Sequence, residues 1–486
     1  MEISTSIAAA KTRTNFRWVI CSLLFFATTI NYLDRQVLSL TWKDFIAPEF
    51  HWTDSDYGTI TGFFSLFYAA ISLVAGKFID WMGSRKGYLW AIFIWSGAAC
   101  LHAGCGWLTM KIEGLESVEA LAAVKSGSAL ALSIATVSVW LFLGCRALLA
   151  LGEAGNFPAA IKVTAQYFPK MDRAFSTAVF NSGASVGALA APLCIPLLAH
   201  LLGWEMAFII IGALGFVWMG FWNTLYTSPE KSRFVNQAEL DYIRQDEAGE
   251  PAAEIKAEQT ETISFWRCFS FRQTWAFIMG KALTDGVWWF FLFWAPAYFS
   301  DQFGYASYTP MGQGLIFTLY LIVTVLSIAG GYLPRIFVEK RGMNPYEGRM
   351  RAMLMFAFVP VLVLFAQPLG AHSAWWPAVI IGLAGAAHQA WSANLYSTIG
   401  DMFPTSTVAS IVGIGTMAGG ISSYIICQGS GILFDYGARM GDAFSFMGFA
   451  GKPAAYMIVF CVCAVSYLLA WCAIKLLVPR YKKIII

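Results

Sequence analysis

The stretch ALALSIATVSVWLFLGCRALLALGEAGNFPAA, residues 129–160, is long and apolar enough to cross a bilayer, yet it carries Arg146 and Glu153. A spanning helix takes about 20 apolar residues, and an ion at its centre costs roughly 2.5–3.5 kcal/mol on insertion scales. Ions are kept at such depth where they face a polar path and have partners. Seven residues are nearly two helical turns, so Arg146 and Glu153 share one face about 10 Å apart along the axis. The following Gly152-Glu153-Ala154-Gly155-Asn156-Phe157-Pro158 favours close packing or a bend, and broken helices often border transport sites.

Composition extends this reading to the whole chain. Of 486 residues, 58% are hydrophobic and 13% charged, with a mean hydropathy of +0.60, whereas a soluble domain carries about a quarter charged residues. The net charge of +3 is too small to imply nucleic acid. The 10 cysteines are scattered singly through apolar segments. Cys461 and Cys463 have no second pair or histidine cluster beside them, so neither a disulfide framework nor a metal site is expected.

Segments of spanning character are expected at Phe16–Ile46, Ser55–Trp81, Gly87–Leu108, Ala129–Ala160, Arg173–His200 and Trp204–Tyr226. Six more follow at Gln273–Phe299, Met311–Phe337, Arg349–Leu369, Ala374–Phe403, Ser406–Phe434 and Pro453–Leu477. Lys and Arg gather in alternate connections, such as Lys11 and Arg13, Arg85 and Lys86, Lys162 to Arg173, Arg335 to Arg351, and Arg480 to Lys483. Lys111, Lys125, Arg439 and Lys452 break the pattern mildly. By the positive-inside rule, twelve helices with both termini cytoplasmic fit best, in the plasma (inner) membrane.

The polar interval after Ser228 divides the chain into residues 1–227, a linker over 228–268 and residues 269–486. Asn236 followed by Glu239 is a helix-start signal, and Leu240 and Ile243 give a short apolar face. Residues 109–127 form an added piece on the outer side, a loop or short surface helix.

Three further groups interrupt apolar segments. In the first, Asn31, Tyr32, Asp34 and Arg35 occur together; Asp34 and Arg35 project about 100° apart and cannot face the same way. They either split between substrate and a neighbouring helix, share a network, or form a buried pair that only staples helices. Lys281 and Asp285, four apart beside Trp288, Trp289 and Phe290, form an intrahelical pair or line a cavity. His388, Gln389, Trp391, Ser392 and Asn394 suggest a cavity wall, although His388 would equally serve as a satisfied core residue. Arginine offers a planar fork suited to a carboxylate, and a carboxyl group that alternates between desolvated and cation-paired surroundings takes up and releases a proton. The division of labour that follows is carboxylates for protons and arginines for an anion.

Two apparent enzyme motifs fail. Gly183-Ala184-Ser185-Val186-Gly187 matches G-x-S-x-G, but the nucleophile elbow needs a strand-to-helix turn, absent from a long helical span. Gly413, Gly415, Gly419 and Gly420 have the wrong spacing for a dinucleotide loop and read as helix packing, as do Gly58 and Gly62.

Gly76, Asp80, Gly83, Arg85 and Lys86, with Trp81 and Ser84 where basic residues are usual, resemble the loop signature of the major facilitator superfamily. Asn31-Tyr32-Leu33-Asp34-Arg35, Gly152-Glu153-Ala154 through Phe168-Pro169 to Arg173, Phe180-Asn181-Ser182-Gly183 and Ala387-His388-Gln389-Ala390 resemble the hexuronate permease branch of its anion:cation symporter family. The resemblance spans nearly the whole chain. It implies an all-α membrane protein of two six-helix bundles and a transporter, not an enzyme, with no cofactor. It associates Asp34 and Glu153 with proton coupling, Arg35 and Arg146 with the organic anion, and Tyr68 with a polar contact. Ala184 stands where relatives carry Gln, leaving Asn181 or Ser185 as replacements. The expected activity is proton-driven uptake of a sugar acid, foremost a hexuronate, by a monomer in the lipid bilayer. Tyr32, Tyr68, Asn181, Lys281, His388, Gln389 and Asn394 would contact the substrate. An aldonate, another organic anion or a neutral sugar are the alternatives.

Overall fold

The computed structural model describes residues 13–245, 264–482 and 484. The N-tail through residue 12, the linker over 246–263 and Lys483 lie outside the described residues. The first half holds α1 (Phe16–Thr41), α2 (Asp54–Met82), α3 (Ser84–His102), α4 (Ala129–Glu153), α5 (Lys170–Leu202) and α6 (Trp204–Leu225). The second holds α7 (Arg272–Phe303), α8 (Pro310–Arg341), α9 (Pro345–Phe358), α10 (Trp375–Met402), α11 (Thr405–Met440) and α12 (Lys452–Leu477).

Among the described residues ten helices are long and apolar enough to cross a membrane, or eleven if α3 and Cys105–Glu113, bent by 50°, make one span. The remaining position is α10, whose 28 residues suffice for a span but whose apolar character is diluted by His388, Gln389 and Asn394.

Local signals set the ends. The Thr53 hydroxyl accepts from the Asp56 N–H while the Asp56 carboxylate takes the Thr53 N–H, a reciprocal cap on α2. Ser128 caps α4 and Thr309 caps α8 in the same sense. Gly83, at φ +77°, makes the tight turn between α2 and α3 that a side chain would strain.

Within each half the helices pack on their own kind, α1 on α5 and α6, α3 on α4 and α6, α7 on α11 and α12, and α8 on α10. The halves meet along α2 with α11, α5 with α8, and α1 with α7. The α2–α11 seam is close where glycines line it: a Cβ on Gly58 would stand 2.7 Å from the Cys427 carbonyl oxygen, and Gly431 lies against the Asp54 backbone.

Thr14 meets Asn236 before the helix Gln237–Ile243, and Gln273 at the start of α7 meets Lys482; the end of the bundle that holds these residues is called proximal here. The linker helix Gln237–Ile243 starts as expected, with Asn236 Oδ1 accepting the Glu239 N–H at 3.0 Å. Glu239 does more than start its own helix. Its buried carboxylate accepts the N–H groups of Phe16 and Arg17 at 3.1 Å each, Arg17 Nη1 at 3.0 Å and the Thr14 hydroxyl at 2.6 Å, capping α1.

The fourth span pauses after Glu153 and resumes at Asn156–Tyr167, as the Gly152-to-Pro158 run leads one to expect. Two features depart from expectation. Residues 105–123 form two short helices, Cys105–Glu113 and Glu119–Ala123, tied to the distal end of the first span by His51 Nε2 and the Leu121 carbonyl at 2.9 Å. Between α11 and α12 a small hairpin pairs Ser445–Phe446 with Phe449–Ala450, turning through Met447 and Gly448 at positive φ. It is the one departure from all-helical structure among the described residues.

Candidate functional site

The charged residues of the first half converge from α1 and α4. Arg35 Nε and Nη2 both donate to Glu153 Oε2, at 3.0 and 2.7 Å, and both side chains are buried. Aromatic rings surround the guanidinium: its central carbon lies 4.7 Å from the centre of Tyr68, 5.3 Å from Tyr32 and 5.3 Å from Trp289, the last reaching over from α7. Tyr32, Tyr68 and Trp289 are only half-buried, so the wall they form is not sealed. Glu153 is placed there by close packing of α4 on α3, where a Cβ on Gly152 would come within 2.5 Å of the Trp95 nitrogen.

Asp34 points elsewhere, as its 100° offset from Arg35 requires. Both carboxyl oxygens are buried without a hydrogen-bond partner, and the charges that act on it most are those of Glu153 and Arg146. Arg146 is likewise buried, with Nε and Nη1 unpartnered and its guanidinium carbon 5.3 Å from the Phe64 ring centre. It borders a seam lined by Ser39, Tyr57, Thr61 and Phe293 that is too tight to hold a water molecule, and Phe293 belongs to the opposite half. The Tyr57 hydroxyl crosses that seam by donating to the Phe293 carbonyl at 2.8 Å. One arginine is thus engaged by a carboxylate while two donor nitrogens of the other have no partner.

The second half presents a simpler group. Lys281 Nζ meets Asp285 Oδ2 at 2.6 Å, one turn apart on α7, and stands 4.9 Å from the Tyr396 ring centre. Gly419 of α11 lies directly against the Asp285 carboxylate, where any side chain would collide. His388 is held inside this bundle, with Nδ1 2.7 Å from the Tyr467 hydroxyl and its ring stacked on Trp288 at 5.3 Å. Asn394 Nδ2 donates to the Ala390 carbonyl of its own helix at 2.8 Å. Gln389 is half-buried and Asn181 exposed on α5; no contact joins either to the Arg35 group. In the signature loop, Asp80 pairs with Lys162 at 2.8 Å and Arg85 donates to the Asn223 carbonyl at 2.7 Å, while Gly76 borders open space. These contacts stay within the first half.

Sequence reasoning missed Tyr396 and the cross-bundle role of Trp289. Tyr396 follows Asn394 by two residues in a run already marked as polar, which is a usable signal. It also missed His102, buried with Nδ1 2.7 Å from the Ala98 carbonyl and its ring stacked on Phe208 at 4.8 Å. Among the described residues no cluster of His, Cys, Asp and Glu suits a metal ion.

Chemically, the arrangement permits an exchange of partners. A proton on Glu153 would release Arg35, and a small carboxylate entering from the half-buried wall would find two guanidinium forks, one freed and one with unused donors. An unpaired buried carboxylate is costly and a proton removes the charge, so the two acids and two arginines are linked.

The Major Facilitator Superfamily sequence profile matches residues 24–426. The hexuronate transporter of Escherichia coli (strain K12) is 26% identical over 435 residues, covering 86% of this chain and 88% of that one. The D-galactonate transporter of Escherichia coli O6:H1 is 25% identical over 417 residues, covering 84% and 87%. Among solved structures, a bacterial homolog of the human lysosomal transporter Spinster, inward-facing and unoccupied, superimposes with a TM-score of 0.67 at 17% identity, covering 95% of this chain and 97% of that one. That last likeness concerns the fold.

Proposed function

This chain belongs to the Major Facilitator Superfamily, whose members matched here are transporters, and we propose that it imports a sugar acid, foremost a hexuronate, together with protons. The observation that carries this reading is the buried Arg35–Glu153 pair at 2.7 Å, set among aromatic rings from both halves and next to a second, incompletely paired arginine. A neutral sugar offers no negative charge for two arginines to meet. The named relatives carry a hexuronate and D-galactonate, both monocarboxylate polyols, which agrees with a site holding arginine forks and tyrosine hydroxyls.

In the cycle, Asp34 and Glu153 are the proton sites and Arg35 and Arg146 hold the substrate carboxylate. Tyr32 and Tyr68 meet the hydroxyl groups from one wall, Lys281 with Tyr396 from the other, and Asn181, Gln389 and Asn394 contribute as the halves close. His388, braced by Tyr467 and Trp288, shapes that second wall. Protonation loosens the hold of the acids on the arginines and allows the halves to rock with cargo bound. The protein acts as a monomer in the inner membrane with both termini cytoplasmic.

The test is uptake into liposomes of labelled glucuronate, galacturonate, gluconate and glucose, with and without an inward proton gradient. Gradient-driven accumulation of a uronate is the expected result. Preference for gluconate would move the substrate to the aldonates, and accumulation of glucose alone would overturn the anion site.

A further inference from the structure

At the distal end, opposite the termini, four charged residues from four separate segments form a closed square. Lys43 lies just beyond α1 and Asp54 begins α2, both in the first half; Asp301 is near the end of α7 and Lys452 begins α12, both in the second. Within the halves, Lys43 Nζ meets Asp54 Oδ1 at 3.2 Å and Lys452 Nζ meets Asp301 Oδ2 at 2.5 Å. Across the interface, Lys43 Nζ meets Asp301 Oδ1 at 3.0 Å and Lys452 Nζ meets Asp54 Oδ2 at 2.6 Å. Each lysine therefore touches both aspartates, once within its own half and once across.

Neighbouring contacts reinforce the crossing. Asp435 of α11 accepts the Asp54 and Ser55 backbone N–H groups at 3.0 and 2.8 Å and the Ser55 hydroxyl. Asp44 accepts the Ser300 hydroxyl at 2.8 Å and the Ser307 N–H at 2.7 Å. His200 of α5 stacks on Tyr308 at 4.7 Å. Within the second half, the Tyr456 hydroxyl also donates to Asp301 at 3.1 Å.

We propose that the Lys43–Asp54–Lys452–Asp301 square is a reversible latch that holds the distal end closed and opens once per transport cycle. Its wiring suits that task. Lys43, Lys452 and Asp301 are part-exposed and Asp54 is buried, so a latch made of a single cross-interface pair would lose its whole attraction on opening. Here separation breaks two contacts and keeps two, and each lysine retains the aspartate of its own half. The closed state gains the crossing pairs without making the open state one of naked charge. With the termini cytoplasmic, the latch is the outer gate; that orientation belongs to the proposed function, whereas the latch itself does not depend on it.

The wiring makes a specific experiment possible. Exchanging charges within the first half, K43D with D54K, preserves its internal pair but sets like charges against each other at both crossings. Exchanging them within the second half, D301K with K452D, does the same. Combining both exchanges restores attraction everywhere. Hydrogen–deuterium exchange of the full-length protein in detergent or nanodiscs reads the outcome in peptides covering residues 50–60 and 425–440, where the Asp54 and Ser55 amides bond to Asp435. Either single-half exchange should speed deuterium uptake there about tenfold, and the fourfold variant should return it to the wild-type rate. Unchanged distal exchange in both half-swapped proteins, or fast exchange in a folded fourfold variant, overturns the latch. Should a half-swapped protein not fold, D301N and K452Q must each raise distal exchange in the same direction by a smaller factor, and no change in either sinks the proposal. Loss of uronate uptake with the exchange pattern intact would refute the substrate assignment and leave the latch standing.

Discussion

Arg35, Arg146, Asp34 and Glu153 come from two helices of the first half and are incompletely paired, with both Asp34 oxygens and two Arg146 nitrogens lacking partners. In the second half Lys281 and Asp285 come from one turn of α7 and meet at 2.6 Å. The first set can trade partners because each ion sits between several others. The second is more nearly closed on itself, as an i,i+4 pair is, with Asp285 Oδ1 as its one buried oxygen lacking a partner. Under the proposed function, coupled chemistry belongs in the half with more unfinished pairing, and the other half supplies the second wall.

Mutations can break this contrast in order of expected effect. Arg146→Ala should weaken uronate binding by roughly a hundredfold or more, about 3 kcal/mol for a buried charge-assisted contact. Calorimetry on the purified protein measures it, and unchanged affinity would remove Arg146 from the anion site. Arg146→Lys should recover little, since an ammonium lacks the fork. Glu153→Gln should leave exchange of labelled for unlabelled substrate within a fewfold of wild type. Accumulation driven by one pH unit, worth about tenfold, should vanish; equal loss of both activities would argue against coupling at Glu153. The smallest effect is expected where the pair is self-contained. Replacing both members, Lys281→Met with Asp285→Leu, should change thermal stability by less than about 1 kcal/mol while Lys281→Met alone costs more, because a lone buried acid is worse than none. A double variant no better than the single would show that the pair is tied into a wider network.

The sequence makes the coupled half legible because its information is periodic. Arg146 and Glu153 are seven apart in an apolar run, and their common face follows from helical geometry alone. The break after Glu153 is foreshadowed by Gly152, Gly155 and Pro158. Trp289 is different: that it lies over Arg35, 254 positions away in the chain, depends on how two bundles dock, which no local pattern encodes. The distal square is hidden for the same reason. Lys452 registers in the sequence only as a mild exception to the charge bias of the connections, and nothing local marks Asp54 and Asp301 as its mates. The hairpin at 445–450 is two residues per strand, too short for alternation to show. His388 illustrates the opposite ambiguity: a histidine among small residues reads equally as wall or core until Tyr467 and Trp288 are seen to hold it.

The seam between α2 and α11 has a mechanical consequence. At Gly58, Gly420 and Gly431 the two helices touch through backbone and small side chains, so the contact there has few teeth to mesh. Surfaces that smooth can roll over one another with little friction, as a journal turns in its bearing. Under the proposed latch, the charged catches at the rim govern motion between the halves, and the long line of contact serves as the pivot.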